Sequence, residues 1–178
     1  PLFRRDFPDG VVLEYAGAIE WVKGEESLAV WAGPSMNIFN REAEKEIENL
    51  GFSGCFLSQE LTIPQIRYIA KGSDIPLGAY VYGRTEMMIS EYCAINAVMG
   101  DKDKKHCPMY CMRGRFALKD GEGRRFPIHT DEWCHMHIAN CHVLDMRPYF
   151  DELKKAGLSA LTLDVRGNEG SILSLCKD

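Results

Sequence analysis

No apolar run in this 178-residue chain approaches the roughly 20 residues that a membrane-spanning helix needs; the longest, such as residues 75–82, stop far short. No charged, apolar, small-residue signal pattern opens the chain either. Positive charge is also scarce: 21 Lys and Arg face 26 Asp and Glu, a formal net charge of -5. That excludes a global basic field for sequence-independent nucleic-acid binding and leaves only local patches. No Gly-x-Ser-x-Gly elbow and no His-Glu-x-x-His helix occurs, so the common hydrolase motifs give no support to peptide cleavage. There is no low-complexity segment, and no repeat beyond a strand–helix alternation. An initiator Met is missing, and Pro1 in its place suggests a processed product or a piece of a longer protein. These absences lead to the expectation of a cytoplasmic protein without a membrane partner. With 46% hydrophobic and 26% charged residues, one domain with an ordinary core is expected.

What is abundant is cysteine. Seven are present (Cys55, Cys93, Cys107, Cys111, Cys134, Cys141 and Cys176), an odd number that rules out complete internal pairing. Clustered thiols in a chain without a secretory signal point to metal or redox chemistry rather than to a disulfide framework.

Hydrophobic patterning predicts an α/β fold. Residues 11–15, 28–32, 54–57, 77–82 and 160–165 are short, nearly continuous apolar stretches of the kind that form buried parallel strands. Between the second and third, Asn40 is the expected N-cap of a helix with Ala43, Ile47 and Leu50 on one face, a solvated charged face opposite, and Gly51 as its stop. After the third, Thr62-Ile63-Pro64-Gln65 spells a capping box with Pro in the first turn. Residues 145–157 predict a further helix with Phe150, Leu153 and Ala156 inward. Strand and helix alternating at this pitch imply a parallel sheet with right-handed crossovers.

Residues 84–144 break that rhythm and carry five of the seven cysteines and all five histidines. Within them, residues 116–128 read as a β-hairpin turning near Asp120-Gly121. Cys93, Cys107-x-x-x-Cys111 and Cys134 supply four thiolates, suited to an iron–sulfur cluster or to zinc. His106, His129, His135 or His137 could replace a thiolate in a mixed zinc site. Cys55 and Cys176 are expected to pack as small hydrophobes. Cys134-His135 and His106-Cys107 are candidate nucleophile–base pairs by adjacency only. Arg113, Arg115, Arg124 and Arg125 are either phosphate contacts for RNA or a solvated hairpin face.

Several linked motifs in residues 28–166 resemble peptidase family U32, the collagenase-like peptidases of unknown catalytic type. They are Ala32-Gly33-Pro34-Ser35-Met36-Asn37-Ile38-Phe39-Asn40, Cys55-Phe56-Leu57-Ser58-Gln59-Glu60-Leu61-Thr62, and the strand ending Val81-Tyr82-Gly83 ten residues before Cys93. Cys107, Cys111 and Arg113, then Cys134 and Asn140, and finally Leu161-Thr162-Leu163-Asp164-Val165-Arg166 complete the series. Departures are Tyr82 for a usual His, Gln59 for Arg, and Glu86 for a further Cys. The resemblance implies a (β/α) TIM-type barrel, of which this chain holds the later strands, roughly the fourth to the eighth. A whole barrel takes about 250 residues, so the missing strands would come from the rest of a longer chain, a partner or a homo-oligomer.

The resemblance further implies a 4Fe-4S cluster on Cys93, Cys107, Cys111 and Cys134, with Cys141 as the runner-up fourth ligand. It also implies hydroxylation of RNA bases or of a small aromatic or quinone precursor at the barrel mouth, and family members are commonly described as proteases. Glu60 and Arg166 are then candidate catalytic residues, and Tyr82, Arg84 and Arg113 candidate substrate contacts, with Glu86 on the same rim. A zinc-stabilised structural or binding module without catalysis is the non-enzymatic alternative.

Overall fold

The structure is a computed structural model that describes residues 8–100 and 107–165. The chain divides into two compact units, residues 1–82 with 145–178, and residues 83–144.

The first unit is a mixed α/β layer built on parallel strands β1 (Gly10–Leu13), β2 (Ala29–Ala32), α1 (Arg41–Asn49), β3 (Gly54–Phe56), α2 (Ile63–Ala70) and β4 (Leu77–Gly83). The strands pair in sequence order, with Val11 opposite Val30, Trp31 opposite Gly54 and Cys55 opposite Leu77. All three residues of β3 are buried, as a central strand covered on both faces requires. Gly54 is needed there: a Cβ at this position would stand 2.5 Å from the Trp31 indole on the neighbouring strand. The core joins Val30, Ala32, Cys55, Leu57, Leu77 and Val81 of the sheet to Ile47, Ile66 and Ile69 of the helices.

Helix starts follow the local chemistry. Asn40 Oδ1 accepts from the Ala43 N–H at 2.8 Å, and Gln65 Oε1 accepts from the Thr62 N–H at 2.8 Å, closing the capping box. Gly51, at φ +97, takes the left-handed conformation that ends α1. One expectation fails on this helix: Leu50 is 41% exposed, whereas Glu44, one of its charged residues, is 1% exposed. The Ser73 hydroxyl donates to Glu44 Oε1 at 2.7 Å, which is what admits a carboxylate to the interior.

The second unit is an antiparallel sheet where the sequence predicts a loop region with one hairpin. Its elements are β5 (Glu86–Ser90), α3 (Ala94–Met99), β6 (Phe116–Lys119), β7 (Arg125–Thr130) and β8 (Met136–Ala139), and the sheet order is β5-β8-β7-β6. The expected hairpin is β6–β7, with Lys119 opposite Arg125 and Asp120 Oδ1 accepting from the N–H groups of Glu122 and Arg124. β5 escapes a sequence reading because four of its five residues are exposed and methionine-rich. β8 is only four residues long, with Met136 and Ile138 buried and His137 and Ala139 on the other face.

The chain returns to the first unit through β9 (Leu144–Asp145), α4 (Phe150–Lys155) and β10 (Leu158–Leu163), and β10 pairs in parallel with β4. The expected helix over residues 145–157 is split: Arg147–Tyr149 form a 3-10 turn, and the α-helix starts only at Phe150. Pro148 disfavours helical backbone at the residue before it, and the Asp145 carboxylate holds the Arg147 N–H at 3.1 Å. Leu153 and Ala156 face the core as expected.

Candidate metal centre

Within the second unit a small recess is lined by Cys93, Ile95, Asn96, Cys107, Tyr110 and Cys111. Cys93 is the N-cap of α3, and its sulfur accepts from the Asn96 N–H at 3.3 Å. Cys111 sits on the 3-10 turn Tyr110–Arg113, entered through Met109 at φ +53, so that this turn and Cys107 present two thiols to the same recess. Asn96 is 6% exposed, and its Oδ1 has no hydrogen-bond partner among the described residues. A buried carbonyl left without a donor in this way costs about 1–3 kcal/mol.

The other two candidate ligands lie between strands, Cys134 in a β-turn and Cys141 in a bend. Cys134 is exposed and left-handed at φ +65, in a turn where Asp131 Oδ1 accepts from the Trp133 and His135 N–H groups at 3.0 and 2.8 Å. Cys141 is half-buried, and its carbonyl oxygen accepts from Arg84 at 2.7 Å. Neither lines the recess. All described cysteines are free thiols. Three soft donors around one recess with an orphaned amide fit a thiolate-held metal group.

A second constellation crosses the sheet. His137 Nδ1 is 2.5 Å from Glu86 Oε2, and its Nε2 is 3.5 Å from Asp131 Oδ2, which also takes His135 Nδ1 at 2.7 Å. The His129 and His137 rings stack with centroids 4.7 Å apart. Burial acts to raise Asp131, but hydrogen bonds from His135 and His137 outweigh it and hold the carboxyl down to about 2. Burial acts to lower His137, yet the hydrogen bond and charge of Glu86, with those of Asp131, keep its pKa above the ordinary histidine value.

The pattern of Peptidase family U32 matches residues 4–175. The chain belongs to peptidase family U32. No curated protein matches it. Among solved structures, the spore cortex-lytic enzyme SleL of Bacillus megaterium QM B1551 is similar at 15% identity and a TM-score of 0.30, over 83% of this chain and 40% of that one. The chain thus spans well under half of that structure, and a likeness at this level bears on neither fold nor function. No helix among the described residues is long and apolar enough to cross a membrane.

The remaining residues singled out in this U32 chain fall in different places. Glu60 is exposed just past the end of β3, its N–H on Ser58 Oγ at 3.3 Å. Tyr82 on β4 is half-buried with the Arg147 guanidinium 5.2 Å over its ring. Both belong to the first unit, whereas Arg84, Glu86 and Arg113 belong to the second. Arg84 donates to the carbonyls of Asn140 and Cys141 at 2.9 and 2.7 Å through one guanidinium nitrogen, which braces the backbone there. Arg113 lies 5.8 Å over the Tyr110 ring at the edge of the cysteine recess. Arg124, one of the four arginines considered for RNA, is paired with Asp120 at 2.6 Å and Glu122 at 3.1 Å. Cys55 is fully buried, and burial, with the charge of Glu44, pushes its thiol up to about 12. Arg166, His106 and Cys176 lie outside the described residues. Sequence reasoning missed Asn96 and Asp131; the second was readable as an Asx turn, Asp131 holding the N–H groups two and four residues on.

Proposed function

We propose that this U32 chain is the cluster-bearing part of an iron–sulfur enzyme that hydroxylates RNA bases or a small aromatic or quinone precursor. The observation that carries the reading is the recess shared by Cys93, Cys107 and Cys111 with the buried, unpartnered Asn96 Oδ1. Cys134 is the proposed fourth ligand of a 4Fe-4S cluster, and Cys141 the alternative. When bound, such a cluster supplies one-electron chemistry at a potential tuned by its surroundings. The chain's own part is to hold it: Cys93 through the α3 N-terminus, Cys107 and Cys111 through the following turn, and Asn96 as a polar neighbour. Arg113, over the ring of the recess residue Tyr110, is suited to a substrate phosphate or carboxylate.

Zinc held by the same thiolates, without catalysis, is the alternative, and the identity of the bound metal decides between the two. For peptide hydrolysis by Cys134, the neighbouring His135 has its Nδ1 oriented by Asp131, which leaves Nε2 as the base nitrogen, but no sequence motif for cleavage accompanies it. The (β/α) barrel remains part of this reading: five parallel strands in sequence order are the later portion, completed by segments beyond the described sheet.

The test is made in cells, on the full-length gene product. Cys93→Ser should abolish a one-oxygen mass increase on a nucleoside of total RNA or on a quinone precursor, read by mass spectrometry. Identical nucleoside and quinone profiles in wild type, Cys93→Ser and deletion strains would remove the reading.

A further inference from the structure

Three adjacent strands of the antiparallel sheet line up a set of ligands that the cysteine centre does not use. His129 on β7 and His137 on β8 are directly opposed in register, so their side chains share one face. On the other side of β8, the β5 ladder is irregular between Glu86 and Met88. Such a bulge re-aims side chains, and it brings Glu86 Oε2 to 2.5 Å from His137 Nδ1. One donor atom from each of Glu86, His129 and His137 lies within 4.8 Å of the others.

We propose that Glu86, His129 and His137 form a second metal site, independent of the cysteines, for a divalent first-row transition cation. The donor set is two imidazoles and one carboxylate, the borderline combination that suits zinc or iron(II) and that lacks the all-oxygen shell calcium and magnesium prefer. Tetrahedral binding with bonds of about 2.0–2.1 Å needs donors about 3.3 Å apart, so the longer pairs of the trio must close by at most about 1.5 Å and the hydrogen-bonded Glu86–His137 pair must open by about 0.8 Å. Glu86 and His129 are exposed, which leaves their side chains room to make that movement. Three protein ligands leave at least one position for water, the arrangement of an open site rather than a closed structural one.

The surroundings of His137 support this assignment independently of the trio. With Nδ1 facing Glu86, its Nε2 faces Asp131 Oδ2 at 3.5 Å, and that carboxylate is itself fixed by His135 and by the backbone of its own turn. A ligating histidine whose other nitrogen is oriented by a carboxylate is the usual outer-shell support of a metal site.

Equilibrium dialysis of the full chain against cobalt(II), followed by metal analysis, tests the proposal. Wild type should hold one more equivalent of cobalt than either His129→Gln or Glu86→Gln, with circular dichroism unchanged in both. Asp131→Asn should weaken that equivalent by about 10–100-fold. The same number of cobalt equivalents in wild type and in either ligand variant would overturn the proposal, whatever the iron content, so it stands or falls apart from the cluster.

Discussion

The backbone N–H of Asn96 donates to the Cys93 sulfur at 3.3 Å, while the Oδ1 of the same residue is buried without a partner. One residue thus both positions the Cys93 sulfur and carries a buried acceptor without a partner, beside the recess that Cys107 and Cys111 complete. Replacing any of Cys93, Cys107, Cys111 or Cys134 by Ser should lower bound iron and the melting temperature of the loaded protein. Cys176→Ser should leave both unchanged. Iron analysis of the five variants checks this, and equal iron across them would refute the ligand set.

Asn96→Leu separates the loaded from the empty state. In iron-free protein it removes an orphaned buried acceptor and should be neutral or stabilising, by up to about 1–3 kcal/mol. In loaded protein it should reduce iron retention. Urea melts with and without the metal, read beside iron content, distinguish this from a packing effect that would act alike in both states.

The interior carboxylate of Glu44 rests on one donor. Ser73→Ala removes that hydroxyl and leaves both carboxylate oxygens buried without a side-chain donor, at an expected cost of about 1–3 kcal/mol. Glu44→Gln, which keeps the shape without the charge, should cost less. Denaturant unfolding of the two variants orders them, and a harmless Ser73→Ala would show the carboxylate to be satisfied otherwise.

Cys55 shares that interior. Burial first, and the nearby charge of Glu44 second, push its thiol up to about 12. It should resist alkylation at neutral pH until the protein unfolds, whereas Cys134, exposed on its turn, should react at once in metal-free protein. Mass mapping of iodoacetamide adducts against time checks the order.

The Asp131–His137–Glu86 chain predicts the pH dependence of the metal-free fold. Asp131 titrates at about 2 in the folded state, below its unfolded value of roughly 3.9, so its stabilisation is present above that unfolded value and is lost as pH falls toward about 2. His137 is raised above roughly 6.5, so its contribution is complete below that value and is lost as pH rises through the folded pKa. Both act together between roughly pH 4 and 6.5. Asp131→Asn should flatten the acid limb and Glu86→Gln should reduce the alkaline one, as read from urea midpoints across pH.

The parallel sheet was legible because its information is local. Val30, Cys55 and Ala79 sit in nearly continuous apolar runs, and Asn40, Gly51 and the Thr62–Gln65 box mark helix ends by chemistry that acts within four residues. The burial of Glu44 is not legible locally, because it depends on Ser73, which is distant in sequence. The second sheet was hidden for a related reason: the exposed Met87, Met88 and Ile89 show no inward–outward alternation. At the candidate centre, the thiols could be named from spacing. The convergence of Glu86, His129 and His137 depended on the β5–β8–β7 register, which no local pattern reveals.

Anaerobic purification followed by iron, sulfide and zinc analysis with a visible spectrum tests the central claim most directly. The account predicts iron and acid-labile sulfide together, with a broad visible absorption that bleaches on reduction and is absent from Cys93→Ser. Stoichiometric zinc in a colourless protein, held by the same cysteines, would contradict it.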